Sequence, residues 1–160
     1  MVAECLGYGS NSEYPDCLYR GFTQQTVLPD GTLGGNAFDF KEFGNRGIEE
    51  CSINWGDDEG ALRQIAMQER DNGKKQFKFG ACRIPRAEID HIRGLAAAMA
   101  RGFDYERRPV EGNLYHGNLL CKTSLSAANK RALCGMLAML YDELYTRADL
   151  DQLCREMPPQ

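Results

Sequence analysis

The chain has 160 residues, enough to bury a core of its own, and its 42% hydrophobic and 26% charged residues are the composition of one globular domain. A formal net charge of −4 argues against nucleic acid as the main partner, because phosphate binding concentrates lysine and arginine. No run approaches the roughly 18 apolar residues of a membrane span, so no membrane partner is expected.

Residues 1–16 are rich in Gly, Ser, Asn and Tyr and read as a flexible N-terminal arm. A single domain is expected over 17–157. Cys17 to Phe22 alternates as a strand, with Leu18, Arg20 and Phe22 on one face and Tyr19 on the other. Leu28-Pro29-Asp30-Gly31 has turn chemistry. Phe38 and Phe40 alternate inward, and Gly44 to Gly47 forms another turn. Glu50 to Trp55 is a strand with Cys51, Ile53 and Trp55 on one face.

Asp57 is a natural N-cap for a helix carrying Leu62, Ile65, Ala66 and Glu69, closed by Asp71-Asn72-Gly73. Gln76 to Ile84 reads as a strand with Phe77, Phe79 and Ala81 on one face. Pro85 suits the first turn of a short helix with Ile89 and Ile92 inward, and Gly94 ends it. Phe103 to Lys122 reads as an antiparallel hairpin with an exposed tip at Glu111-Gly112-Asn113. Ser124 or Ser126 caps the longest helix, whose stripe is Leu133, Met136, Leu137, Leu140 and Leu144. Thr146-x-x-Asp149 resembles a capping box, and Leu150, Leu153, Cys154 and Met157 form the inner face of the last helix. The irregular order of strands and helices favours an α+β fold, a small mixed or antiparallel sheet packed with C-terminal helices.

The seven cysteines, Cys5, Cys17, Cys51, Cys82, Cys121, Cys134 and Cys154, are odd in number and lack C-x-x-C spacing. The opening MVAECLGYGSNS has no apolar leader segment. Reduced thiols in a cytoplasmic protein are expected, most of them packed as small hydrophobes. The two histidines, His91 and His116, lie on different elements. On a strand, His116 and Cys121 point to opposite faces, so neither a metal site nor a Cys–His pair is expected from them. The glycines match neither a P-loop nor a dinucleotide fingerprint, and no cofactor is expected.

Two resemblances bear on function. Leu18-Tyr19-Arg20-Gly21 resembles the first-strand Arg motif of ADP-ribosyltransferase-like folds, with Cys51-Ser52-Ile53-Asn54-Trp55 standing for a later Ser-bearing strand. The resemblance implies an arginine that steadies a dinucleotide; the closing Glu-x-Glu of that family is absent. Over about 100 residues the layout also resembles short uncharacterised bacterial proteins. They share a Leu-x-Arg strand, a Gly turn followed by Ala-Phe, a Ser-Val-like strand and a late Asn-Pro-x-His-Ala-type strand. Here these are Leu18-Tyr19-Arg20, Gly31 to Phe38, Ser52-Ile53-Asn54 and Asn113-Leu114-Tyr115-His116-Gly117-Asn118. That resemblance implies a small bacterial protein from a conflict or defence neighbourhood.

The leading expectation is a non-enzymatic protein-interaction module, an accessory, target or inhibitor in a defence or toxin system. Its partner would be another protein, contacted through Tyr105, Arg107, Arg108, Asn113 and Tyr115 on the hairpin, because Arg and Tyr combine contact area with directed hydrogen bonds. The alternative is an NAD- or nucleotide-acting transferase or hydrolase using Arg20, Ser52 and His116, which requires the three side chains to converge in one pocket. Each has a plainer role open to it. His116 beside Asn113 can pin a turn, and Arg20 can be a half-buried arginine paired to a carboxylate.

Overall fold

The computed structural model describes residues 14–42 and 46–156. It contains seven strands: β1 Cys17–Gly21, β2 Lys41–Glu42, β3 Ile48–Trp55, β4 Ala81–Pro85, β5 Asp104–Arg107, β6 His116–Lys122 and β7 Glu143–Tyr145. They form one open antiparallel sheet in the order β5-β6-β3-β1-β4-β7, with β2 added to β3. Four α-helices accompany it: α1 Gly60–Met67, α2 Arg86–Arg93, α3 Ala127–Leu137 and α4 Arg147–Arg155. This is the small α+β fold expected from the irregular element order. Among the described residues, no helix is long and apolar enough to cross a membrane.

Strand alternation splits the core into two. Leu18, Cys51, Ile53, Trp55, Ile84, Leu119 and Cys121 face one side, where Ile89 and Ile92 of α2 and Leu133 and Leu137 of α3 cover them. Tyr19 and Ala81 face the other side, under Leu62 and Ile65 of α1 and Leu150 and Leu153 of α4. The second layer covers β1, β4 and β7 and, through α1, the end of β3 near Asn54. The part of that face on β3, β6 and β5 keeps its polar side chains, and this asymmetry creates the site described below.

Several helix ends follow their local chemistry. Ser126 Oγ accepts from Asn129 N at 3.1 Å, so Ser126 is the cap of α3. Thr146 and Asp149 form a reciprocal capping box at the start of α4. Pro85 immediately precedes α2, and Gly94 closes it.

Other expectations are corrected. Helix α1 starts at Gly60 rather than Asp57, because Asp57 Oδ1 accepts from Asp16 N while Asp58 Oδ1 takes the Gly60 N–H at 2.8 Å. It ends at Met67; Asp71-Asn72-Gly73 is instead the turn of a small hairpin, with Gly73 at φ 80° and Arg70 N donating to Lys74 O at 2.8 Å. Glu69 therefore lies outside the helix, bridged to Lys75. The strand expected from Gln76 begins only at Ala81, because Gly80 bends the chain at φ 104°. Phe77 packs on the second core and Phe79 on the first, so the two do not share a face. Helix α3 stops at Leu137, and Leu144 lies on β7.

Of the expected arm, residues 1–13 lie outside the described residues, as do Gly44, Asn45 and Met157. Tyr14 packs edge-on against Trp55 and Tyr105, and Pro15 O accepts from Arg86 Nε at 2.9 Å.

Among the described residues, six cysteines are free thiols: Cys17, Cys51, Cys82, Cys121, Cys134 and Cys154; Cys5 lies outside them. Burial pushes the Cys82 and Cys121 thiols up to about 12 and Cys134 to about 11, so they are packing groups and not thiolates at neutral pH. Thiol titration in denaturant without reductant should find most of the cysteines free. Recovery of a single free thiol would mean three disulfides and a rearranged core.

Candidate functional site

Ser52 and Asn54 alternate with Cys51, Ile53 and Trp55 on β3, so burying the latter three turns the former two to the opposite face. The antiparallel register places Asn54 beside His116 and Ser52 beside Asn118. Four polar side chains thus form a block on the uncovered part of the sheet. Asn118 is only 1% exposed, donating Nδ2 to Glu106 Oε2 at 2.8 Å while its Oδ1 has no partner among the described residues.

The segment from Arg108 to Tyr115 folds back over this block. Asn113 Nδ2 donates to Asn54 Oδ1 at 2.9 Å, and Asn54 Nδ2 donates to Ala61 O at 3.1 Å, linking loop, sheet and helix. Gln64 Nε2 donates to Gly112 O at 3.0 Å. A Cβ on Gly60 would lie 2.4 Å from the Tyr115 hydroxyl, so glycine is what lets the tyrosine rest on the start of α1. The expected hairpin tip is therefore exposed only at Glu111 and Gly112; Asn113 is half-buried because its side chain turns inward.

Between the loop, α1 and the sheet lies a cavity of about 450 Å³. Its hydrogen-bonding walls are Ser52, Asn54, Gln64, Gln68, Gln76 and His116, with Ile65 and Phe77 as apolar wall. Among the described residues, Glu111 is its only carboxylate, and no lysine or arginine lines it. His116 Nδ1 lies 3.0 Å from Arg108 O. A carbonyl accepts only, so the network assigns the proton of the neutral ring to Nδ1 and leaves Nε2 as an acceptor. Among the described residues, the hydrogen bonds leave His116 Nε2, the Ser52 hydroxyl and the Gln76 carboxamide unpartnered.

The structure brings Ser52, His116 and Asn113 together and leaves Arg20 apart. Arg20 shares the face of Leu18, across the sheet from the cavity. Its guanidinium donates from Nε to Ala37 O at 3.0 Å and from Nη1 to Ser52 O at 2.7 Å, so its partners are carbonyls and not the expected carboxylate. The convergence demanded of Arg20, Ser52 and His116 is not met.

The hairpin residues also divide. Tyr105 is 7% exposed and sits in the first core, stacked edge-on against Trp55 at 5.0 Å, with Arg93 4.4 Å above its ring. It cannot share an exposed patch with Arg107, which is exposed at the end of β5, as is Arg108 just beyond it. Tyr115 is exposed beside Leu114, itself 73% exposed.

Sequence reasoning missed Gln64, Gln68 and Gln76. The i,i+4 spacing of Gln64 and Gln68 was a readable signal, since it puts both on one helix face, and Gln64 Nε2 bonds Gln68 Oε1 at 3.1 Å. Among the described residues, no group of three or more His, Cys, Asp or Glu could hold a metal ion. The chain matches no family model, no curated protein and no solved structure.

Proposed function

We propose that the chain is a non-enzymatic protein-interaction module that meets its partner through the rim from Arg107 to Tyr115. The observation that carries this is an apolar, cation-flanked loop that is pinned over the sheet while its outer side chains stay exposed. Val110, Leu114 and Tyr115 are exposed in a single loop, beside the exposed Arg107 and Arg108. Large apolar side chains and arginines in one small patch are the composition of an interface centre. Hydrogen bonds from Gln64 and Asn113 fix the loop before any partner arrives, which lowers the ordering cost of association.

The separation of Arg20 from Ser52 and His116 supports this reading over nucleotide chemistry. The layout shared with short bacterial proteins supports a place in the bacterial cytoplasm, as an accessory, target or inhibitor of a defence or toxin system. Once a partner is identified by copurification and purified, calorimetry should show Leu114→Ala and Arg107→Ala each weakening binding by more than about 1 kcal/mol, with Arg108→Ala milder. Wild-type affinity in all three removes the loop from the contact surface.

A further inference from the structure

We infer that the cavity beneath the loop is a binding site for an uncharged nucleoside. This goes beyond the interaction reading and does not rest on it.

The lining selects the ligand class by elimination. A site for phosphate or carboxylate concentrates lysine, arginine or a helix N-terminus, and this cavity is lined by none of the chain's lysine or arginine side chains and does carry Glu111. A purely apolar ligand would strip water from the Ser52 hydroxyl, His116 Nε2 and the Gln76 carboxamide, which bond no other described residue, and would give them nothing in return. Three glutamines, a serine and a histidine whose Nδ1 meets a carbonyl offer adjacent donors and acceptors, with no fixed charge among them. The edge that complements them is planar and amide-like, with N–H and C=O or ring nitrogen side by side, as on a nucleobase. Phe77 and Ile65 supply the apolar wall that the flat face of a base requires.

Size and preorganisation agree. The volume of about 450 Å³ falls within the roughly 300–1,000 Å³ of small-molecule sites. Ser52 and Asn54 stand on β3, His116 on β6 and Gln64 on α1, Gln68 caps α1 and Gln76 follows in the turn beyond it; Gly21 is what admits Phe77, since a Cβ there would lie 2.5 Å from its ring. The His116 tautomer is already set by the Arg108 carbonyl, so Nε2 awaits an N–H or O–H donor from the ligand.

The test uses the full chain and isothermal titration with three sets of probes: the four ribonucleosides, their 5′-monophosphates, and neutral monosaccharides. At least one nucleoside should bind one to one. Its monophosphate should bind about tenfold more weakly, for want of a cation and because of Glu111. The monosaccharides should not bind. Ser52→Ala and Gln76→Ala should each weaken the nucleoside about tenfold, with the melting temperature of the free protein unchanged because neither side chain bonds another. His116→Ala should do the same, but it also releases the loop, so the first two variants decide. Leu114→Ala should retain nucleoside affinity even where it abolishes partner binding, which separates this site from the interaction surface. Absence of binding by every nucleoside overturns the inference. So does tighter binding of a monosaccharide, or wild-type affinity in both Ser52→Ala and Gln76→Ala.

Discussion

Leu137→Ala is expected to destabilise the fold by about 2–5 kcal/mol, among the largest effects available from one core truncation. Leu137 is completely buried at the end of α3, in the core that also holds Leu133 and Trp55. Helix α3 packs there against the 3-10 turn Gly35–Ala37, where a Cβ on Gly35 would lie 3.6 Å from the backbone of Gly135. Two backbones so close relax little, so the cavity left by the lost methyl groups should persist, which places the cost toward the upper part of that range. Denaturant unfolding should show a lower midpoint with an unchanged slope. Met139→Ala, two residues on and 80% exposed, should stay within about 0.5 kcal/mol of wild type. A midpoint unmoved by Leu137→Ala would put α3 at the periphery.

What the sequence made legible was alternation and capping. β1, β3 and β6 were readable because successive residues point to opposite faces of the sheet, so a period of two survives in the residues themselves: Leu18 against Tyr19, Cys51 against Ser52, His116 against Gly117. The caps at Ser126 and Thr146 were readable because the bonding partner lies three residues away. The failures share a different cause. Asp57 looked like a cap until a chain segment 41 residues away took its carboxylate. Leu144 continued the helical stripe of α3, yet its place is decided by pairing with Cys82 on β4. In each case a long-range partner overrode a local preference.

The site divides along the same line. Ser52 and His116 could each be assigned a face, but which face of one strand adjoins which of the next depends on register. The pairing of Tyr19 with Asn54 is what sets Arg20 opposite the cavity. The spacing of Gln64 and Gln68 puts them on one helix face, but where that face and the turn carrying Gln76 meet the sheet is decided by long-range packing. Tyr105 stood out for its neighbours Arg107 and Arg108, and only Trp55 and Tyr14 reveal that it belongs to the core.

Tyr105→Ala should therefore behave as a core mutation, destabilising the fold by about 3–5 kcal/mol, comparable to other buried aromatic truncations. The ring fills the space between Tyr14, Trp55 and Arg93, and its hydroxyl donates to Asp90 Oδ1 at 2.7 Å. Asp90 is also bonded to Arg86 and Arg93, so it keeps charged partners when the hydroxyl is lost. Tyr105→Phe should for that reason cost far less than Tyr105→Ala. The two variants also differ from wild type in alkali. Burial, with the Asp90 carboxylate beside it, pushes the Tyr105 phenol up from 10.0 to about 12. The folded state thus favours the neutral phenol, a stabilisation fully present below the ordinary tyrosine value near 10 and lost as pH rises through about 12. Cys82 and Cys121, also pushed up to about 12, steepen the same alkaline decline from lower pH, since an unfolded thiol ionises earlier. Stability measured from pH 8 to 12 should accordingly fall less in Tyr105→Phe than in wild type, while ultraviolet titration of the folded protein loses one late phenol. Should Tyr105→Ala instead unfold at the wild-type midpoint and weaken only partner binding, the side chain would belong to the contact surface and the aromatic packing around Trp55 would not hold β5 in place.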